Sequence, residues 1–314
     1  MKLRASSLIA LLTCLLTAAV CSHPAAQWRL ELLRMKASGD LGGVAWADLL
    51  SRMATVDAES NGGRWVMGSV RLTAVGDGPC PAQFESPLGP FRGYLVDEWD
   101  LEHFVNNYLG LNADARLGLG PHVEPGDTVV ELGPWLGTFV RFALNHGAAK
   151  VIAIEPIPQI VECFRQTFAA ELADGRVELI EAAAWSRSGK VRMALQGQNN
   201  DRNSNEGYHV SPEGDLSVEA IRLDAVLREL GVERVDLINM DIEGAERHAL
   251  AGAAETIRRD LPQIVACVHH LDDDQTAIFS LMREIAPSYE VLTDNYHARF
   301  VADHRPSDAN AQRK

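Results

Sequence analysis

Apolar and polar positions follow three different patterns along the chain. A positive start (Lys2, Arg4) leads into an apolar run from Leu8 to Val20, and the first acidic residue is Glu31. With small residues near Ala19-Val20-Cys21, residues 1–22 read as a secretory signal peptide or, if uncleaved, a signal anchor. The run is shorter than the ~20 apolar residues that a bilayer span requires. Residues 23–120 lack a sustained period. Turn signals such as Asn61-Gly62-Gly63 and Gly76-Asp77-Gly78-Pro79 lie between two helical stretches. One is marked by Trp28, Leu32, Leu33 and Met35, the other spans Asp97 to Leu109. This region is expected to be an N-terminal α/irregular extension or cap.

Over residues 121–304 the pattern becomes regular. Thr128-Val129-Val130-Glu131-Leu132, Val151–Ile154, Val177–Ile180, Val235–Met240 and Ile264–Val268 are short apolar runs bounded by turn residues, as buried parallel strands are. Between them lie amphipathic stretches. Leu136–Asn145 has helical spacing, Ile160, Phe164, Phe168 and Leu172 recur every fourth residue, and Leu250, Ala253, Ala254 and Ile257 mark a further helix. Strands alternating with helices predict an α/β fold, a parallel sheet with helices on both faces. Gln196–Asp215, rich in Asn, Asp, Ser and Gly, reads as a long loop that folds over an acceptor or is a disordered insertion. Residues 305–314 read as a disordered tail.

Composition narrows the function. Of 314 residues, 46% are hydrophobic, which excludes a wholly disordered chain. Asp and Glu number 43 against 29 Lys and Arg, a formal charge of −14 without a basic block, so nucleic acid is not an expected partner. Of five cysteines, Cys14 and Cys21 fall in the leader. The remaining Cys80, Cys163 and Cys267 predict neither a disulfide framework nor a metal knot.

Ligands of such a sheet bind beyond the carboxyl ends of its strands. After the first strand, Gly133 permits a tight turn and Gly137 lets the next helix pack closely. Trp135 stands where a dinucleotide fingerprint has its middle glycine, which argues against a pyrophosphate ligand and an NAD-dependent oxidoreductase. Glu155 ends the second strand 22 residues after Gly133, a spacing that suits an acid holding two ribose hydroxyls. It also suits a simple helix N-terminal acid. After the fourth strand, Asp241-Ile242-Glu243-Gly244-Ala245-Glu246 places three carboxylates in six residues. Asp241 and Glu243 are candidates for proton acceptor or acceptor-orienting group, and His269 or His270, after the fifth strand, for base or metal ligand. Asp241, Glu243 and His269 are also possible ligands of a divalent metal, although no metal motif predicts one. Trp185, after the third strand, reads as a core residue or an adenine contact.

Thr128–Gly137, Val151–Pro156, Leu223-Asp224, Ile238–Glu246, Gly252-Ala253 and Leu261–Ile264 leading to His269-His270 resemble the FkbM family of S-adenosylmethionine-dependent methyltransferases. The resemblance runs from about Glu98 to Phe300, and Asp-x-Glu-Gly-x-Glu is its most specific part. It implies a class I methyltransferase (Rossmann-like) fold, a seven-stranded sheet closed by an antiparallel last strand. It also implies O-methylation of a sugar, glycan or small natural product. Glu131, Gly133, Gly137, Glu155 and Asp241 would then bind S-adenosyl-L-methionine, with Asp241, Glu243 and His269 catalytic. The chain departs from the family in Glu131 for Asp, in Pro134-Trp135-Leu136, and in Asn239 where lysine is frequent. These departures leave a non-catalytic binding protein of the same fold as the alternative. The expected partner is a small-molecule or glycan acceptor, and a membrane only through an uncleaved leader. The leader points to the secretory pathway, an endomembrane lumen or membrane anchoring, and without it the expectation is cytoplasmic.

Overall fold

The computed structural model describes residues 71–75, 80–86, 89–93, 121–195, 207–293 and 297–302. The leader, both helices expected in the extension, and residues 305–314 lie outside these. Three strands, β1 (Arg71–Val75), β2 (Ala82–Ser86) and β3 (Gly89–Gly93), form an antiparallel sheet ahead of the main domain. The extension therefore contains β-structure that the sequence reading did not anticipate. Phe84 and Phe91 are directly opposite on β2 and β3, stack at 5.7 Å, and are fully buried. A cross-strand aromatic pair of this kind stabilises a short hairpin.

The main domain follows in alternation: β4 (Thr128–Leu132), α1 (Thr138–Asn145), β5 (Lys150–Ile154), α2 (Pro158–Thr167), α3 (Ala169–Ala173) and β6 (Val177–Ile180). Then come β7 (Ala183–Ala184), β8 (Gly189–Leu195), β9 (Tyr208–Val210), β10 (Leu216–Ile221) and α4 (Leu223–Glu229). The chain continues through β11 (Leu237–Met240), α5 (Glu246–Gly252), α6 (Ala254–Asp260), β12 (Gln263–Cys267), α7 (Asp274–Ile285), β13 (Tyr289–Thr293) and β14 (His297–Ala302). Seven strands pair in the order β13-β14-β12-β11-β4-β5-β6, with β14 antiparallel to β12 and β13. Both Val129 and Val130, neighbours that point to opposite faces, are fully buried, so the sheet is covered on both sides. Residues of α4 to α7, among them Leu227, Leu250, Ile257 and Ile278, share one core with Val130, Ile152, Ile238 and Ile264.

Each predicted strand of the parallel sheet is present within one or two residues. The helix drawn over Pro158–Leu172 breaks at Phe168, and the helix around Leu250–Ile257 breaks at Ala253. Part of the segment read as a long loop is strand: β9 lies within it, and β7-β10-β8-β9 form a second, four-stranded sheet. Val218, Met193 and Ala183 of this small sheet bury themselves against Ile157 and Ile160, and Trp135 packs on the same cluster.

The expectation of no disulfide is corrected. Cys80 and Cys163 are bonded, with Cα atoms 5.3 Å apart across 83 residues of sequence. The sequence spacing held no sign of it, because the bond joins the extension to α2 through tertiary proximity. Beside it Phe91 meets Phe168 edge-on at 6.3 Å, and the Arg92 amide donates to Thr167 Oγ1 at 3.0 Å. Among the described residues no helix is long and apolar enough to cross a membrane.

Candidate active site

The carboxyl ends of β5, β4 and β11 lie side by side and level. Leu132 is paired with Ile154 on one side and Met240 on the other. The residues that follow, Gly133, Glu155 and Asp241, therefore gather at one edge, where the chain reverses its order of strand addition. Gly133 has φ +79°, and a Cβ there would collide with the backbone carbonyl of Asp241. Its lack of a side chain thus serves the contact between two strand ends, where the sequence reading had looked to a ligand. Gly137, at φ +84°, would drive a Cβ into the Phe168 ring, which confirms close packing of the following helix. Between them Trp135 adopts φ +45°. The middle position keeps a glycine-like backbone while its indole docks under the small sheet.

Buried groups line this turn. Glu131 lies beneath it and accepts a hydrogen bond from Asn239 Nδ2 at 2.9 Å. Burial raises its pKa well above the ordinary value, against the Asn239 bond, and the charge of Asp241 adds to the rise. The position where lysine is frequent in the family thus supplies a neutral donor to a longer acid. Glu155 is buried, and its carboxylate accepts from the backbone amides of Ile157 (2.9 Å) and Trp135. Burial outweighs those two bonds and lifts its pKa to about 7. Glu155 therefore ties the loops after β4 and β5 together. The buried Thr138 Oγ1 and Trp135 Nε1 have no hydrogen-bond partner. Two acids and the unsatisfied Thr138 hydroxyl around one turn suit a ligand that brings an ammonium, a carboxylate and ribose hydroxyls.

Beside this turn stands the acidic segment. Glu243 has φ +53° and Gly244 φ +90°, a left-handed pair that bends the chain back towards β12. Asp241 is open, its side chain 57% exposed, while Glu246 is fully buried. His270 sits among all three carboxylates: Nδ1 is 3.1 Å from Glu246 Oε1, and Nε2 is 3.3 Å from Asp241 Oδ1 and 3.7 Å from Glu243 Oε2. Burial opposes charge on this imidazole. The Glu246 hydrogen bond and the three negative charges override it and push the pKa up to about 9. Burial, partly offset by His270, raises Glu243 to about 7. Of the histidine pair the structure brings His270 into the cluster, whereas His269 is exposed with its ring 4.6 Å from that of His270. Glu246 Oε1 also accepts the Ile242 amide at 3.0 Å, so the buried acid holds the segment in shape. Trp185 is stacked on His248 at 3.7 Å. Sequence reading missed Thr138, and it placed Glu246 in the acidic segment without giving it a role of its own. Thr138 was discoverable as the first residue of a helix after a glycine turn, where orphan amides and hydroxyls face ligands.

A parallel sheet with this strand order, one antiparallel strand inserted beside its edge and acids at the tips of the first, second and fourth parallel strands defines a class I methyltransferase. Residues 122–291 match the methyltransferase FkbM domain. The chain belongs to that family, whose members use S-adenosylmethionine, and its fold is the class I one that the resemblance implied. It is 28% identical to 31-O-demethyl-FK506 methyltransferase FkbM of Streptomyces tacrolimicus, over 52% of this chain and 74% of that protein. It is 29% identical to 2-O-methyltransferase NoeI of Sinorhizobium fredii, over 43% and 61%. It is 24% identical to hexuronic acid methyltransferase AglP of Haloferax volcanii, over 59% and 73%. The chain thus spans between three fifths and three quarters of the length of these relatives.

Proposed function

We propose that the protein transfers a methyl group from S-adenosyl-L-methionine to a hydroxyl oxygen of a sugar, glycan or small natural product. The observation that carries this is the convergence of Glu131, Glu155 and Asp241 at three level strand ends. Two of the named relatives are O-methyltransferases and the third acts on a hexuronic acid, which supports a hydroxylated acceptor.

When bound, the cofactor supplies an electrophilic methyl group. Glu131 and Thr138 would hold its amino-acid end and Glu155 its ribose, beside the turn that Gly133 and Gly137 allow to pack tightly. The exposed Asp241 carboxylate faces the acceptor side, orients the hydroxyl and takes its proton, with Glu243 beside it. The arrangement of His270 among these acids supports it over His269 as the imidazole of the site. Holding the acceptor in line is the largest contribution open to such a site, since effective molarities of oriented reactants reach ~10⁵ M or more. The buried Cys80–Cys163 bond supports the further reading that the chain matures in an oxidising compartment.

Two measurements test the function. Calorimetry with S-adenosylmethionine and its demethylated product should show binding of both, and neither binding would favour a non-catalytic protein of this fold. Mass spectrometry after incubation with isotopically labelled cofactor and a glycan or metabolite extract should reveal one methyl gained on an oxygen of a defined product. A product methylated on nitrogen or carbon would overturn the O-methyl assignment.

A further inference from the structure

We propose that His270 Nε2, Asp241 Oδ1 and Glu243 Oε2 form a binding site for one divalent transition-metal cation, with Glu246 as the carboxylate that orients the imidazole. The three atoms, with ligand atoms within 4.8 Å of one another, come from two loops that the fold brings together. Nε2 lies 3.3 Å from one oxygen and 3.7 Å from the other. Bonds of about 2.1 Å to one ion set neighbouring ligands roughly 3 Å apart, a spacing that the Asp241 pair nearly meets, while the two carboxylate oxygens, within 4.8 Å of each other, draw together around the ion.

The surroundings point the same way. A ligating histidine usually gives its other ring nitrogen to a carboxylate, which fixes the tautomer and aims the lone pair at the metal. Glu246 Oε1 holds Nδ1 at 3.1 Å in that manner. Glu246 is 0% exposed, and its second oxygen, on the carboxylate already bonded to this imidazole, is buried with no hydrogen-bond partner. A buried carboxylate left half satisfied is costly unless positive charge lies near. The ring proton on His270 Nε2 supplies that charge in the metal-free chain, and a cation bound at Nε2 takes the place of that proton. The neighbouring set Glu246, His270 and Asp274 is closed by comparison. Both Asp274 oxygens are taken, by the Leu271 amide at 2.7 Å and by Arg247 Nε at 3.1 Å. Two carboxylates and an imidazole suit Mn²⁺, Fe²⁺ or Zn²⁺ better than Mg²⁺, and they leave open positions for water or an oxygen ligand. Use of those positions by an acceptor hydroxyl rests on the methyl-transfer reading, whereas the cation site does not.

The test is an electron paramagnetic resonance titration of the purified, chelator-treated chain with Mn²⁺ alone. Saturation at one ion per chain is expected. Asp241→Asn, at an exposed position that leaves folding intact, should abolish saturable binding. Glu246→Gln should weaken it about 10- to 100-fold, as loss of an outer-shell partner does. Asp272→Asn, an exposed acid outside the set, should bind like the parent chain. Absence of saturable binding, or equal binding by Asp241→Asn, would overturn the site. Calorimetry with the demethylated cofactor on the same samples separates the two readings: nucleoside binding without Mn²⁺ binding removes only the cation site.

Discussion

Trp135 sits in a backbone conformation that glycine adopts freely, yet it keeps an indole there. The side chain is retained because it anchors the small sheet on the turn after β4. Trp135→Ala removes that packing while leaving a non-glycine residue at positive φ, and should cost about 3 kcal/mol. Trp135→Gly should recover about 1 kcal/mol of that by relieving the backbone. Chemical denaturation of the three proteins checks the order. Glu155 gives a pH signature. Its pKa is near 4.5 unfolded and about 7 folded, so the native state binds the extra proton between those values. Stability from this group is therefore complete below pH 4.5 and is lost as pH rises through 7, by about 3 kcal/mol. Glu155→Gln carries no charge to bury and still accepts one amide, so urea melts at pH 8 should find it more stable than the parent. Calorimetry should find it weaker for the cofactor, since a carboxylate's second acceptor oxygen is gone. A parent chain whose stability rises from pH 5 to 8 would contradict this. At this scale Asp241 and Glu155 were legible because they directly follow apolar strands. The choice between His269 and His270 was not, since it depends on which way the chain turns after β12.

Helices here are fixed by buried acids more than by side-chain caps at their own first residues. Asp224, buried on α4, accepts from the Glu255 amide at 3.1 Å and from the Thr256 amide and hydroxyl, both at 2.8 Å. It thereby satisfies the first turn of α6, an element 30 residues further on. Arg222 Nη2 completes its shell at 3.1 Å. Asp224→Ala should destabilise by about 2–4 kcal/mol, with Asp224→Asn recovering part of the loss, because the amide oxygen can still accept. Thermal denaturation followed by far-ultraviolet circular dichroism checks the ranking, and equal melting of all three would discard this account. The sequence marked Leu223-Asp224 by resemblance, but spacing alone could not show its partners. The same holds for β7 to β10: their alternation of buried and exposed residues is short and interrupted, so periodicity gave no strand there.

At the scale of the whole molecule, the described part of the extension is tied to the main domain by the disulfide, by Phe91 against Phe168 and by the Arg92 amide on Thr167. The Cys80–Cys163 bond closes a loop of more than 80 residues, for which loop-closure entropy gives about 4.5 kcal/mol. Reduction, or Cys80→Ala with Cys163→Ala, should lower the melting temperature by several degrees. Thiol titration of the denatured native protein should find Cys267 free and the Cys80–Cys163 pair oxidised. An unchanged melting point on reduction would mean that the bond adds nothing to the packing of Phe91 on Phe168.

Hydrophobic periodicity by itself determined the parallel α/β core, its strand boundaries and the acids at its carboxyl edge. Those features follow from local runs of residues, and a strand buried on both faces must be apolar wherever it lies. The disulfide, the second sheet, the contact between Gly133 and Asp241, and the seating of His270 among three carboxylates were decided only by the tertiary structure. Each joins residues far apart in the chain, and their distance in space depends on how the whole sheet is assembled.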